Sequence, residues 1–366
     1  MTDSRTAERL AMLRECMAET RCDLVALGPG PYMHWVAGFH THADERPCLL
    51  LIGLEKEAFL MPALNAEGAR ENTDIAFHMW ADEDGPQAAL TAALADIGVM
   101  RAHSVAVDET MRTDFSLLVL ETLPNTHHAY AAETVGRLRM KKSEAEVAEL
   151  KMNAAIDDAA VKVALAAIKP GVTENEVAAA VRGHFAENGA SPLFTIVGGG
   201  PNGAFPHHSA SDRPLQKGDA VVVDIGARKG DFSSDITRMA VVGEAPEGYA
   251  EVHATVEKAV QAALAAAKPG VKAKAVDAAA RGVITDAGYG EYFTHRTGHG
   301  MGLEGHEPPY LTATSETVLE TGMVFSIEPG IYLPGRFGVR LEEIVVLRED
   351  GPEILSKLSR DMTVCG

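Results

Sequence analysis

Residues 169–189 read KPGVTENEVAAAVRGHFAENG and residues 268–288 read KPGVKAKAVDAAARGVITDAG, two stretches that align without a gap. Ten of the 21 positions are identical, from Lys169/Lys268 through Arg182/Arg281 to Gly189/Gly288. Self-similarity at a fixed spacing marks a repeated supersecondary unit. Each copy follows an Ala-rich stretch of helical pattern, about 143–168 and about 249–267. Each is followed by strand-rich sequence ending in a hairpin-like pair. The pattern predicts two αα-β-β halves related by a pseudo-twofold axis. Chance is the competing explanation, since Ala-rich helices inflate identity. The shared K-P-G-V turn and the matched downstream pattern argue against it.

Upstream of the repeat the pattern changes. Residues 4–20 have a helical period, and DLVALG (23–28), CLLLIG (48–53), EAFLMP (57–62) and IAFHMW (75–80) read as short strands. QAALTAALADIG (87–98) reads as a helix and SVAVDE (104–109) as a strand. A second helix near 113–123 and a last strand at about 127–132 complete a small α/β domain. The basic connector Arg137-Leu138-Arg139-Met140-Lys141-Lys142 marks the boundary, giving domains 1–136 and 137–366. Beyond it, Ser143 followed by Glu144 and Glu146 is a capped helix start. A chain of 366 residues exceeds what one core usually supports, which agrees with two domains.

Lys and Arg number 33 against 52 Asp and Glu, a formal charge of −19, with the acids spread along the chain. No basic stripe longer than 137–142 exists, which argues against nucleic-acid binding. No run approaches the roughly 20 apolar residues that span a bilayer. The N-terminus, MTDSRTAERLAMLREC, lacks the apolar core of a secretory signal, so a soluble, cytoplasmic protein is expected. Cys16, Cys22, Cys48 and Cys365 form no C-x-x-C pattern and read as reduced, structural thiols.

The chemistry lies in four carboxylates. In DAVVVDIGARKGDFSSDITRMAVVG, Asp224 ends the apolar run Val221-Val222-Val223 and Asp235 opens the return strand. In the second half, Glu328 follows Val324-Phe325-Ser326-Ile327, and Glu342 or its neighbour Glu343 precedes Ile344-Val345-Val346-Leu347. Strand alternation turns only one of that last pair inward, and spacing does not say which. Buried strand-end carboxylates are costly unless paired or bound to metal, and a divalent cation would relieve their repulsion. Between the pairs lies Thr297-Gly298-His299-Gly300-Met301-Gly302, whose glycines are expected to let backbone and ligand approach closely. Carboxylates with one imidazole suit Mn²⁺, Zn²⁺, Co²⁺ or Fe²⁺, and the lack of cysteine disfavours a structural zinc site.

Together VVVDIGARKGDFSSDITR, THRTGHGMGLEGHEPP, SIEPGIY and GVRLEE, spanning 219–343, resemble peptidase family M24, the pita-bread metallopeptidases. The fold resemblance covers about 140–366, and PYMHWVAGF (31–39) is similar to the strand entry of the creatinase/prolidase N-terminal domain. Short methionine aminopeptidases lack such a domain, which points to the Xaa-Pro aminopeptidase/prolidase branch. The resemblance implies a small α/β N-terminal domain and a pseudo-twofold α+β catalytic domain. It implies two divalent metals, Mn²⁺ first, on Asp224, Asp235, His299, Glu328 and Glu342, with Asp235 and Glu342 bridging. It thereby selects Glu342 over Glu343. His207 and His306, 99 residues apart like the repeat, match the substrate-side histidines, and His208 is read as solvent-facing.

The implied reaction is attack by a water held between the metals on the bond preceding proline. Glu328 moves the proton, and His207 or His306 stabilises the oxyanion. Arg340 would orient a ligand carboxylate. His295 would line the pocket for the substrate ring, with a satisfied core histidine as the competing reading. Some prolidases carry arginine where this chain has Tyr310, which tilts the expectation toward an Xaa-Pro aminopeptidase acting on short proline peptides. The alternatives are a prolidase, or a hydrolase or lyase of a small molecule, of the ectoine hydrolase or dimethylsulfoniopropionate lyase kind. Metal-free creatinase chemistry and a pseudo-peptidase are disfavoured because all five ligand positions are filled. A homodimer is expected by resemblance.

Overall fold

The computed structural model describes residues 4–366, which divide into two compact units, the first ending at Arg139 and the second spanning Met140–Gly366. In the first unit a six-stranded mixed sheet runs in the order Ala76–Trp80, Glu57–Pro62, Leu49–Gly53, Leu24–Leu27, Ser104–Val107, His127–Tyr130. The central strands are buried on both faces, which is why they read as continuous apolar runs. Helices Ser4–Thr20, Gln87–Asp96 and Thr113–Thr122 fall where the helical period lies. Two elements differ from expectation. PYMHWVA is a helix, Pro31–Ala37, not a strand entry: Pro31 occupies the first turn and Gly38, at φ 79°, closes it in the left-handed region. A short apolar run buried all round carries no period that separates helix from strand. The connector is not free chain up to 142 either. Val135–Arg139 is a short helix of the first unit, with the Arg139 guanidinium 4.8 Å above the Tyr32 ring, so the division falls after Arg139 rather than after 136.

The second unit carries the repeat in its backbone. Helices Glu174–Glu187 and Ala273–Asp286 are both 14 residues long and follow the long helices Glu144–Ala167 and Tyr249–Ala266. The two K-P-G-V turns bond alike: Gly171 N donates to Leu215 O and Gly270 N to Leu319 O, both at 2.8 Å. Leu215 N and Leu319 N return the bond to Val172 O and Val271 O, again both at 2.8 Å. Both turn glycines hold a φ near +86°, 87° and 85°, open only to glycine at low cost. The first half continues into Ser191–Gly199, Ala220–Lys229 and Ile236–Val242, paired antiparallel, with Thr363–Cys365 added parallel at the edge. The second half builds a five-stranded sheet from Glu307–Leu311, Gly298–Gly300, Val324–Ile327, Glu343–Arg348 and Gly351–Ile354, and a two-stranded ribbon from Gly330–Leu333 and Phe337–Arg340.

Strand alternation then aims the chemistry. Val221, Val223, Ile225 and Ala227 pack into the core of the first half, together with Val177, Val181 and Phe185 from its helix. Ala220 and Val222, on the opposite face, join a core built mainly from the second half. Asp224 shares that second face. The sequence therefore turns one carboxylate of an otherwise apolar strand toward the centre of the unit. All four cysteines are free and buried. Among the described residues no helix is long and apolar enough to cross a membrane.

Candidate metal centre

Asp224 lies in the middle of Ala220–Lys229, opposite Thr237, and so does not end its strand as the apolar run suggested; the strand continues through Gly226 and Ala227. Asp235 precedes Ile236–Val242, His299 is central in Gly298–Gly300, Glu328 directly follows Val324–Ile327 and Glu342 directly precedes Glu343–Arg348. Single donor atoms of Asp224, Asp235 and Glu342 lie within 4.8 Å of one another, as do those of His299, Glu328 and Glu342. Asp235, His299 and His306 form a third such group. They line a cavity of about 570 Å³ whose other walls include Phe194, Ile196, Pro206, His207, His295, Arg296 and Arg340.

Whether these groups suit a divalent cation can be tested on their bonding. Asp235 Oδ1 and Glu342 Oε1 are buried without a hydrogen-bond partner, although buried polar atoms are nearly always satisfied. Glu342 uses its other oxygen to accept from Thr237 Oγ1 at 2.8 Å. Burial, and then the neighbouring carboxylates, push Asp235 and Glu342 well above the usual carboxylate range. Burial also raises Asp224, against the pull of Arg340, whose guanidinium bonds Asp224 Oδ2 directly. His299 Nδ1 lies 3.0 Å from Gly300 O, an acceptor only, so a ring proton sits there, and Nε2 faces Glu328 Oε1 at 3.2 Å. Orphaned oxygens and mutually repelling carboxylates, with an imidazole nitrogen facing them, are what a cation would resolve. The donor set fits.

Glu343 points elsewhere. Its Oε1 accepts from Arg238 and Arg360, each at 2.9 Å, so geometry separates the two adjacent glutamates where spacing could not. Glu328 is the carboxylate of the cluster held low, to about 2: burial works against its charge, but the His299 hydrogen bond and charge outweigh it. Arg340 spends its remaining donors on Thr237 Oγ1, Tyr332 Oη and Pro206 O. His295 is both things expected of it, a cavity wall and a satisfied ring. Its Nδ1 donates to Arg296 O at 2.7 Å, and Nε2 meets Tyr332 Oη at 2.8 Å. His306 stacks on His299 with ring centroids 3.7 Å apart, and its Nδ1 accepts from Arg296 Nη2 at 2.9 Å. Arginine only donates, so the His306 proton is fixed on Nε2. Desolvation, then His299 and Arg296, lower His306 to about 4.

Several expectations need correction. His208 is not solvent-facing: its Nε2 sits 2.8 Å from Glu174 Oε2 in a buried network that closes the preceding loop. Tyr310 does not line the cavity; its ring lies beneath Arg296, 4.6 Å from the guanidinium carbon. The glycines at 298 and 300 serve strand packing rather than ligand approach. A Cβ on Gly298 would stand 1.9 Å from Ser326 O, and one on Gly300 2.2 Å from Pro308 O. The 99-residue spacing of His207 and His306 is not the local register, because Gly199 and Gly300, which pair with Val221 and Phe325, are offset by 101. The two histidines nonetheless come from corresponding loops. The sequence reading missed Arg296, Tyr332 and the pair Asp277–Arg281, whose bonds to Thr297 N, His295 O and Phe293 O hold the histidine loop. The signal for that pair was an Asp four residues before an Arg, where the first copy has Ala178.

Comparison with known proteins agrees with this geometry. Residues 148–349 match the model of metallopeptidase family M24, and residues 9–141 match the creatinase/prolidase N-terminal domain. The chain is 38% identical, over 98% of its length and 96% of the relative's, to the probable dipeptidase PepE of Mycobacterium tuberculosis. It is 34% identical to an Xaa-Pro dipeptidase of Pyrococcus horikoshii, covering 97% and 98% of the two chains. The crystal structure of dipeptidase PepE from Mycobacterium ulcerans superposes with a TM-score of 0.93 at 36% identity, over 99% and 98% of the chains. A donor cluster on two fused αα-β-β halves, reached from sequence and geometry alone, thus meets its relatives: this chain belongs to metallopeptidase family M24, with a creatinase/prolidase N-terminal domain.

Proposed function

We propose that the chain hydrolyses the peptide bond preceding proline in short peptides, with two divalent metals on Asp224, Asp235, His299, Glu328 and Glu342. The observation that carries this reading is the pair of orphaned oxygens, Asp235 Oδ1 and Glu342 Oε1, inside one cluster of convergent donors. When bound, the metal pair supplies Lewis-acid polarisation and a nucleophilic water at neutral pH. Glu328, ionised, accepts the proton released on attack and returns it to the leaving nitrogen. His306 offers its Nε2 proton to the developing oxyanion, with His207 as a second donor. Arg340 holds Asp224 in one orientation. Phe194, Ile196 and Pro206 give the apolar wall on which a pyrrolidine ring packs.

Mn²⁺ is proposed first because the donors are four carboxylates and one imidazole. A homodimer and a cytoplasmic setting are proposed on the family resemblance, and sedimentation and cell fractionation test them. The dipeptidase form of the reaction is favoured over the aminopeptidase form on two grounds. Three similar proteins bear dipeptidase names. Tyr310, which had tilted the expectation the other way, stands outside the cavity lining.

The test is to strip the protein with chelator, reload it with Mn²⁺, measure metal per chain, and assay Ala-Pro, Ala-Pro-Ala and Ala-Ala-Ala. Metal-restored cleavage of the proline peptides is expected, with little on Ala-Ala-Ala. Two bound metals with no peptide cleaved would overturn the peptidase reading and favour a small non-peptide substrate.

A further inference from the structure

Two buried charges stand next to the histidine loop, and the reaction as derived above uses neither. Lys142 is the last residue of the basic connector, and Glu307 is the residue after His306. Both side chains are only 2% exposed, and Lys142 Nζ donates to Glu307 Oε1 at 2.6 Å. Lys142 is itself fixed, since its backbone N–H donates to Gly322 O and Gly322 N to Leu347 O, both at 2.8 Å. The Glu307 carboxylate accepts a second bond from Glu304 N at 3.2 Å. The pair is tightly enclosed: a Cβ on Gly302 would stand 2.7 Å from Glu307 Oε1 and 2.9 Å from Lys142 Cε. Earlier in the loop, Gly302, Leu303 and Glu304 give their carbonyls to Ser233 N, the Arg228 guanidinium and Gly302 N. The Glu307 carboxylate is the tie at the far end, one residue from His306.

A buried ion pair adds little net stability over apolar side chains of the same size, while removing one partner strands a charge. Its location is therefore more informative than its energy. The first half repeats the device with acid and base exchanged: His208, the residue after His207, lies 2.8 Å from the buried Glu174 carboxylate. In each half the residue following the substrate-side histidine is the one clamped, by an ionisable partner from earlier in the chain. A need for stability alone gives no reason to place both clamps there. Resting on the proline-peptide reading above, we propose that Lys142 is a positioning residue for the reaction, fixing through Glu307 where His306 presents its Nε2 proton. Without the ammonium, the stranded carboxylate turns toward other donors and draws the adjoining backbone with it. The His306 ring, 3.7 Å from that of His299, then moves off the oxyanion position.

The experiment is a double-mutant cycle on the Mn²⁺-loaded full chain with Ala-Pro, metal per chain being measured for every variant. His306→Ala is expected to lower kcat by about 10²–10³, the usual worth of an oxyanion donor. Lys142→Met should lower kcat roughly 10- to 100-fold, as a misplacement of about 1 Å does, with little change in KM or bound metal. Combining the two should cost no more than His306→Ala alone, because both remove one interaction. Lys142→Met/Glu307→Gln leaves no stranded charge and carries the same cycle if the single variant fails to fold. A crystal structure of that variant should show the His306 and His299 rings further apart than in the wild-type chain. Losses that multiply in the His306→Ala background, or a neutral pair with wild-type kcat and unmoved rings, overturn the proposal and leave the proline-peptide reading intact. Failure of the wild-type chain to cleave Ala-Pro sinks that reading, and this one with it.

Discussion

Two oxygens without partners, Asp235 Oδ1 and Glu342 Oε1, set the behaviour of the centre at the scale of single residues. Asp235→Asn and Glu342→Gln should each lower bound metal per chain, read by elemental analysis after dialysis, whereas Glu343→Gln should leave the metal in place. Arg340→Met leaves every donor of the cluster present but frees Asp224 to turn, so metal affinity should drop roughly 10- to 100-fold. Glu328→Gln should reduce kcat by about 10²–10⁴ with a smaller change in KM, measured on Ala-Pro. The donors themselves were legible because each stands beside an apolar strand, where an ionised carboxylate has no cheap explanation. The choice between Glu342 and Glu343 was not, since it depends on where Arg238 and Arg360 arrive from distant sequence. Arg296 was invisible for the same reason. Its partners Tyr310 and His306 lie on a strand and loop that only the fold brings alongside.

Element by element, the two halves keep the same turn but differ in how their helices start. Thr173 caps Glu174–Glu187 with a complete capping box to Glu176, whereas Lys272 at the corresponding place makes no side-chain cap. Thr173→Ala should cost about 1 kcal/mol, and Lys272→Ser should gain up to about 1 kcal/mol, by denaturant melts. The Lys272–Glu316 ion pair lost in the second variant is exposed and offsets little. Glu174 links the first helix to the loop that carries His207. Burial opposes its charge, but Gly199 N, Ser211, His208 and Asn202 together outweigh that and hold its carboxyl below the usual range. A depressed carboxyl stabilises fully above its unfolded value, about 4.5, and loses that contribution as pH falls through the lower folded value. Glu174→Gln should therefore cost about 1.5–3 kcal/mol at neutral pH and flatten the acid side of a stability profile below about pH 4.5. The helices themselves were legible from alanine-rich period and caps. Pro31–Ala37 was not, because every side chain from Tyr32 to Ala37 is buried and no polar face marks the turn.

For the whole molecule, the repeat was the most informative signal, since two copies of one turn imply two copies of everything packed on it. It carried the architecture of the second unit, down to matched backbone bonds at Leu215 and Leu319. The domain boundary came within three residues, the error being a helix whose Arg139 is claimed by a ring far away in sequence, Tyr32. One feature of the sheet bears on how the protein is made. Thr363–Cys365 lies parallel along Ile236–Val242, and Gly243 N donates to Cys365 O, yet these residues leave the ribosome about 120 positions after their partner. Until then the half that carries Asp224 and Asp235 waits with a bare edge of unpaired backbone, the kind of template on which nascent chains stick to one another. That edge is covered only when Thr363–Cys365 docks, after the metal-binding residues have emerged.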